Sequence, residues 1–171
     1  TVLRLSAPGV PDLYQGTEYW DESLVDPDNR RPVDFPARAA SLGPAPAALL
    51  GHWQDGAVKQ AVIQRLLQLR AADPEMFLLG DYAPVEVVGP RAADLLAFTR
   101  HLDDRAVLVV VPLRAAGVDA NAPRYPAGHW ADTRLVLEQA EGWRCALGGD
   151  ATSADLSALE AGVPALVLAR G

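Results

Sequence analysis

The sequence predicts an α+β fold in two parts: loops with one long helix, then a mainly antiparallel β domain of sandwich or partly open barrel type. Three observations carry this. Residues 1–50 are crowded with Pro, Gly, Asp and Arg and show little periodicity, which marks loops. Residues 57–72 repeat apolar side chains at helical spacing. Beyond Leu79 the pattern changes to short apolar runs between turn residues, the rhythm of an all-β arrangement.

The elements follow in order. Val2-Leu3-Arg4-Leu5-Ser6 reads as a strand that runs into Pro8-Gly9-Val10-Pro11. Short helical turns are expected over 37–42 and 45–50. Asp55-Gly56 introduces the helix at 57–72, whose buried face is marked by Val58, Ala61, Val62, Leu66 and Leu69 and widened by Ile63 and Leu67. Asp73-Pro74 ends it, because the residue before proline avoids the α region. Strands are expected over 85–88, 95–100, 106–111, 133–137, 143–147 and 165–169, with Asp103-Asp104 as a hairpin turn. The chain then divides into residues 1–79 and residues 80–171, with no repeat of fixed period.

Composition narrows the function classes. At 171 residues, half of them hydrophobic, the chain is long enough to bury an ordinary core. A net charge of −7, with Lys59 the sole lysine, argues against nucleic acid and anionic membranes as partners. A single cysteine, Cys145, leaves no internal disulfide and disfavours a cysteine-ligated zinc. No apolar run reaches the roughly 18 residues of a membrane helix, so a cytoplasmic location is the expectation. His52, His101 and His129 lack ligand spacing. Asp26 and Asp28 match the start of a calcium loop, but Arg31 stands where glycine is needed and Ala37 where glutamate is needed. No metal and no cofactor are expected.

The densest chemistry lies in Pro8-Gly9-Val10-Pro11-Asp12-Leu13-Tyr14-Gln15-Gly16-Thr17-Glu18 and in Asp26-Pro27-Asp28-Asn29-Arg30-Arg31-Pro32. Sugar hydroxyls both donate and accept, so carboxylates and planar guanidiniums are suitable partners for them. Tyr14, Glu18, Asp26, Asp28, Arg30 and Arg31 are therefore the candidate substrate-binding residues, with Trp20 available to stack on a sugar ring. A plainer reading stays open: Glu18 pairs with an arginine or caps a turn, Tyr14 belongs to the core, and the second cluster is a salt-bridge network.

The first segment resembles the P-G-x-P-x-x-Y-x-G-x-E motif that follows the eighth strand of the α-amylase superfamily barrel. Residues 24–35 resemble the maltooligosyl trehalose synthase branch of that superfamily. Weaker likeness to the same branch continues through Trp53-Gln54-Asp55-Gly56, Gly80-Asp81-Tyr82 and 107–112. The resemblance implies that residues 1–79 are the last strand, loops and helix of a (β/α)8 barrel, ahead of an all-β carboxyl-terminal domain. It implies a maltooligosaccharide substrate and a missing upstream barrel of the same polypeptide. The start at Thr1 without methionine fits a carboxyl-terminal piece. The superfamily's catalytic carboxylates lie on earlier strands, so the chain would hold no catalytic residue and be inert alone. Arg30 matches an arginine that relatives place near the reacting sugar. Another superfamily hydrolase or transferase, and a non-catalytic carbohydrate-binding or structural β module, remain as alternatives.

Overall fold

Six consecutive apolar residues, 106–111, need burial on both faces of a sheet, and the fold supplies it. The structure is a computed structural model that describes residues 1–25, 30–114, 117–119, 121 and 123–171. The helices are α1 (Val2–Ser6), α2 (Phe35–Ala40), α3 (Ala57–Ala72), α4 (Pro74–Leu79) and α5 (Ala158–Ala161). The strands are β1 (Asp81–Pro84), β2 (Val87–Val88), β3 (Leu95–Leu102), β4 (Arg105–Pro112), β5 (Arg134–Leu135), β6 (Arg144–Cys145) and β7 (Leu166–Arg170). A 3₁₀ segment spans Pro46–Asp55.

The main sheet is antiparallel, in the order β1-β3-β4-β7-β6, which puts β4 at its centre. The β3–β4 register ends at Leu102 opposite Arg105, so Asp103-Asp104 is the hairpin turn expected from sequence. Asp103 takes φ 55, a left-handed position that aspartate tolerates. Alternation then sorts the side chains. Phe98, Val107, Val109, Val167 and Ala169 face α1, α3 and α4. Leu95, Ala97, Leu108, Val110, Leu166 and Leu168 face the other way, onto Trp130, Trp143, Leu156 and Leu159.

That second layer corrects the sandwich expectation. The antiparallel sheet is present, but its partner layer is a two-residue β2–β5 ribbon, α5 and irregular chain. Runs expected over 133–137 and 143–147 form strands of two residues each, extended by single hydrogen bonds from Val136 N to Glu86 O at 2.9 Å and from Ala146 N to Val167 O at 2.8 Å. The first layer is helical and draws on both sides of position 79/80, joining Leu5, Val58, Leu66 and Phe77 to Phe98, Val109 and Val167.

The strand expected at 2–6 is a helix. Leu5 N donates to Thr1 O at 3.1 Å and Ala7 N to Leu3 O at 2.9 Å. Val2 and Leu5, three residues apart, share one helical face and are buried against α3 and the sheet. Packing with distant elements decides the conformation of a five-residue stretch that local alternation reads as extended. α3 has the bounds the periodicity gave, but Leu67 is 41% exposed and lies outside the buried face. Asp73-Pro74 ends α3 and also starts α4: the Asp73 carboxylate accepts from Met76 N at 3.2 Å, and proline occupies the first turn. β1 carries no apolar run and ends on Pro84, a residue tolerated at a sheet edge. Among the described residues no helix is long and apolar enough to cross a membrane.

One consequence of the second layer is a dependence on pH. The His129 ring meets Trp130 edge to face with centroids 4.6 Å apart and lies tilted on Tyr125 at 4.7 Å, and burial holds its imidazole below the ordinary value of about 6.5. In the window between the ordinary value and the lowered one, the unfolded chain binds more protons than the folded one, so stability falls as pH drops through it. The melting temperature is expected to fall between pH 7 and pH 5 by more in the parent sequence than in His129→Gln. Equal slopes in the two would reject this origin.

Candidate functional site

The 8–18 loop leaves α1 and is fixed at several points by the chain's own groups. Arg4 Nη1 donates to Asp12 O at 3.0 Å, and Thr17 closes a turn on Tyr14 O through its amide at 3.1 Å and its hydroxyl at 2.7 Å. Tyr14 itself is 47% exposed, on the outer side of that turn. Gly16 takes φ 90, and a Cβ there would lie 2.9 Å from Val33 Cγ2, so glycine lets the two loops approach.

Glu18 meets Arg38 on α2. Arg38 Nε donates to Glu18 Oε2 at 3.2 Å, its Nη2 to Gly16 O at 3.0 Å and its Nη1 to Asp34 O at 3.1 Å. The guanidinium also lies 4.6 Å over the Tyr19 ring. One arginine thus ties three segments. Asp34 caps α2 by accepting from Ala37 N at 3.0 Å, which sets the helix that carries Arg38. Beneath this pair, Tyr19 Oη donates to Ser41 Oγ at 2.8 Å, and Gln60 Nε2, on buried α3, donates to Arg38 O at 2.9 Å.

Trp20 continues the same surface. Its Nε1 donates to Trp53 O at 2.7 Å, and the two rings meet edge to face at 6.1 Å. Lys59 Nζ donates to Tyr19 O at 2.8 Å and sits 5.6 Å over the Trp20 ring, where burial is the main cause that lowers its pKa. Gly56 takes φ 86, and a Cβ there would meet Trp20 N and Tyr19 Cβ at 2.9 Å. Glycine is what allows the 19–20 backbone to lie on the start of α3. Trp20 and Trp53, with Val2, Leu50 and Val62, line an apolar cavity of about 430 Å³. Aromatic faces beside an ammonium and a carboxylate–guanidinium pair can stack on, and hydrogen-bond to, a polyhydroxylated ligand.

Of the six candidate residues, Tyr14 and Glu18 lie on this loop. Arg30 and Arg31 are exposed on the next one, and each makes interactions there. Hydrogen bonds from the Ser23 hydroxyl and amide hold the Asp21 carboxyl low, and the Lys59 and then the Arg31 charge add to them. Asp26 and Asp28 lie outside the described residues. Arg38, Ser41, Lys59 and Gln60 escaped the sequence reading. Their partners stand about 20 to 40 residues away, and only the Asp34 cap one turn before Arg38 signals the helix that presents it. Among the described residues no group of three or more His, Cys, Asp or Glu could hold a metal ion.

No protein-family model matches the chain. Two proteins from Mycobacterium tuberculosis strains that carry the name maltooligosyl trehalose synthase are each 45% identical to it over 134 residues, covering 77% of this chain and 16% of theirs. A mutant maltooligosyltrehalose synthase from Arthrobacter ramosus superposes over 99% of this chain and 21% of its own, with a TM-score of 0.75 and 38% identity. A second solved maltooligosyl trehalose synthase gives a TM-score of 0.69 at 25% identity over the same shares. The chain therefore spans about one sixth of the length of the curated relatives it matches. Sequence and fold agree: over most of its length this chain is similar to one part of the longer maltooligosyl trehalose synthases.

Proposed function

We propose that this chain is the carboxyl-terminal part of an enzyme that converts the reducing-end α-1,4 bond of a maltooligosaccharide into an α,α-1,1 bond. The observation that carries the reading is the agreement of 45% identity with a superposition over nearly the whole chain. Residues 1–79 then supply loops and a helix to the catalytic barrel, and residues 80–171 form a domain that covers one side of it. The transfer proceeds with retention through a glucosyl-enzyme, and the carboxylates that perform it belong to the upstream polypeptide. The 8–18 and 26–32 loops bind: Tyr14, Glu18, Asp26, Asp28, Arg30 and Arg31 hold the freed glucose while it turns over, which raises its effective concentration and keeps water out.

The exposed apolar side chains of residues 1–45 support a partner of this kind. Val10 is 95% exposed, Leu24 93% and Phe35 55%, apolar surface that a partner would cover. The upstream barrel of the same polypeptide is the partner that fits.

The test incubates maltopentaose with this chain and, separately, with the full-length protein. Loss of reducing ends with the full-length protein alone is the expected result. In that protein, Arg30→Ala should raise hydrolysis relative to transfer by about tenfold. An unchanged ratio rejects the retention role of Arg30, and absence of trehalosyl product from the full-length protein rejects the mutase reading.

A further inference from the structure

Two guanidiniums converge on the root of the 8–18 loop from opposite parts of the chain. Arg70, on α3, donates through Nη1 to Leu5 O at 3.0 Å and lies 4.6 Å over the Phe77 ring. Arg100, on β3, donates through Nη1 to Ser6 O at 3.5 Å. Leu5 and Ser6 are the last two residues of α1, whose final carbonyls have no partner within so short a helix. Ala7 follows, and then Pro8 and Gly9.

Arg100 is unusual for a charge in the core. It is 2% exposed, and the acceptors of its guanidinium are all main-chain carbonyls. Its Nη2 reaches Gly80 O at 2.7 Å and Met76 O and Phe77 O at 3.3 Å, and its Nε reaches Gly80 O and Asp81 O at 3.3 Å. Met76 O and Phe77 O belong to the last turn of α4 and Gly80 is its C-cap, so these three carbonyls form the negative end of a helix, where a cation is stabilised without a carboxylate. Burial and then the Arg70 charge lower the Arg100 pKa, and Asp81 opposes them. Arginine nevertheless stays charged, so the site keeps two like charges close together. A core built for stability alone would put an apolar side chain here. The two arginines share Phe77 of α4 and the end of α1, and only the second leads into the 8–18 loop.

We propose that Arg100 and Arg70 are positioning residues: from the sheet and from α3 they clamp the carbonyls of Ser6 and Leu5, and so fix where the 8–18 loop presents Tyr14 and Glu18. The β domain thereby acts on the loop through one side chain. The consequence for sugar transfer rests on the function proposed above, whereas the clamp itself does not.

The test uses the full-length protein with Arg100→Lys and Arg70→Gln. Lysine keeps the charge but cannot span the forked set of carbonyls, and glutamine at 70 leaves the buried hub intact. Two readouts are taken alongside the melting temperature: amide hydrogen exchange over residues 8–18, and the ratio of trehalosyl product to free glucose from maltopentaose. Exchange over 8–18 is expected to rise about tenfold in both variants, with β3 and β4 unchanged. The product ratio is expected to fall several-fold, and the double variant to fall short of the product of the two single effects because both act on one root. Unchanged exchange over 8–18 in both variants overturns the clamp. Raised exchange with an unchanged ratio overturns the positioning role. A full-length protein that makes no trehalosyl product overturns the mutase reading instead, and the exchange result still decides the clamp.

Discussion

Replacing Phe98 by alanine is expected to lower folding free energy by about 4 kcal/mol, the usual cost of deleting a buried aromatic ring. At a typical urea slope the midpoint should fall by about 2 M. Phe98 is 1% exposed and sits on the face of β3 that α1, α3 and α4 cover. Its cluster joins Leu5 and Leu66 from the first 79 residues to Val109 and Val167 from the remainder. A cavity there removes contacts on both sides at once, and helices already lodged against a sheet cannot close it without shifting. Tyr82, whose ring is 5.0 Å from Phe98, is 48% exposed, so Tyr82→Ala should cost well under half as much. A loss below about 1.5 kcal/mol for Phe98→Ala would mean that the layers pack independently.

The same packing explains which parts of the fold were legible in the sequence. The helix 57–72 was legible from its periodicity, the strand 106–111 from its unbroken apolar run, and Asp103-Asp104 because it separates two apolar runs. Val2–Ser6 was not, since the choice of helix over strand is made by where Val2 and Leu5 land on α3 and the sheet. The edge strand β1 was missed for the opposite reason: its partner β3 supplies the order, and its own residues carry no pattern. At the candidate site the loop from Pro8 to Glu18 was legible from composition. The groups that hold it were not, because Arg38, Lys59 and Arg100 reach most of their acceptors across 19 to 94 residues. No local spacing encodes such a contact.

Removing the Arg38 side chain should cost about 2 kcal/mol, more than neutralising its partner Glu18 costs. The asymmetry follows from what each change leaves behind. Arg38→Met strands the Glu18 carboxylate, whose side chain is 29% exposed, together with the carbonyls of Gly16 and Asp34 and the face of the Tyr19 ring. Glu18→Gln keeps an oxygen for Arg38 Nε and leaves the other two hydrogen bonds in place, so its cost should stay within about 1 kcal/mol. Chemical denaturation of the two variants of this chain measures both values. Equal losses would locate the energy in the ion pair; the expected inequality locates it in the guanidinium's hold on the backbone. In the second case Glu18 is held by a residue that does not depend on it, which leaves its second oxygen available for a sugar hydroxyl. Glu18→Gln in the full-length protein should then raise KM for maltopentaose while the melting temperature barely moves. A melting temperature that falls as far as it does in Arg38→Met, with KM unchanged, would make Glu18 a purely structural partner of Arg38.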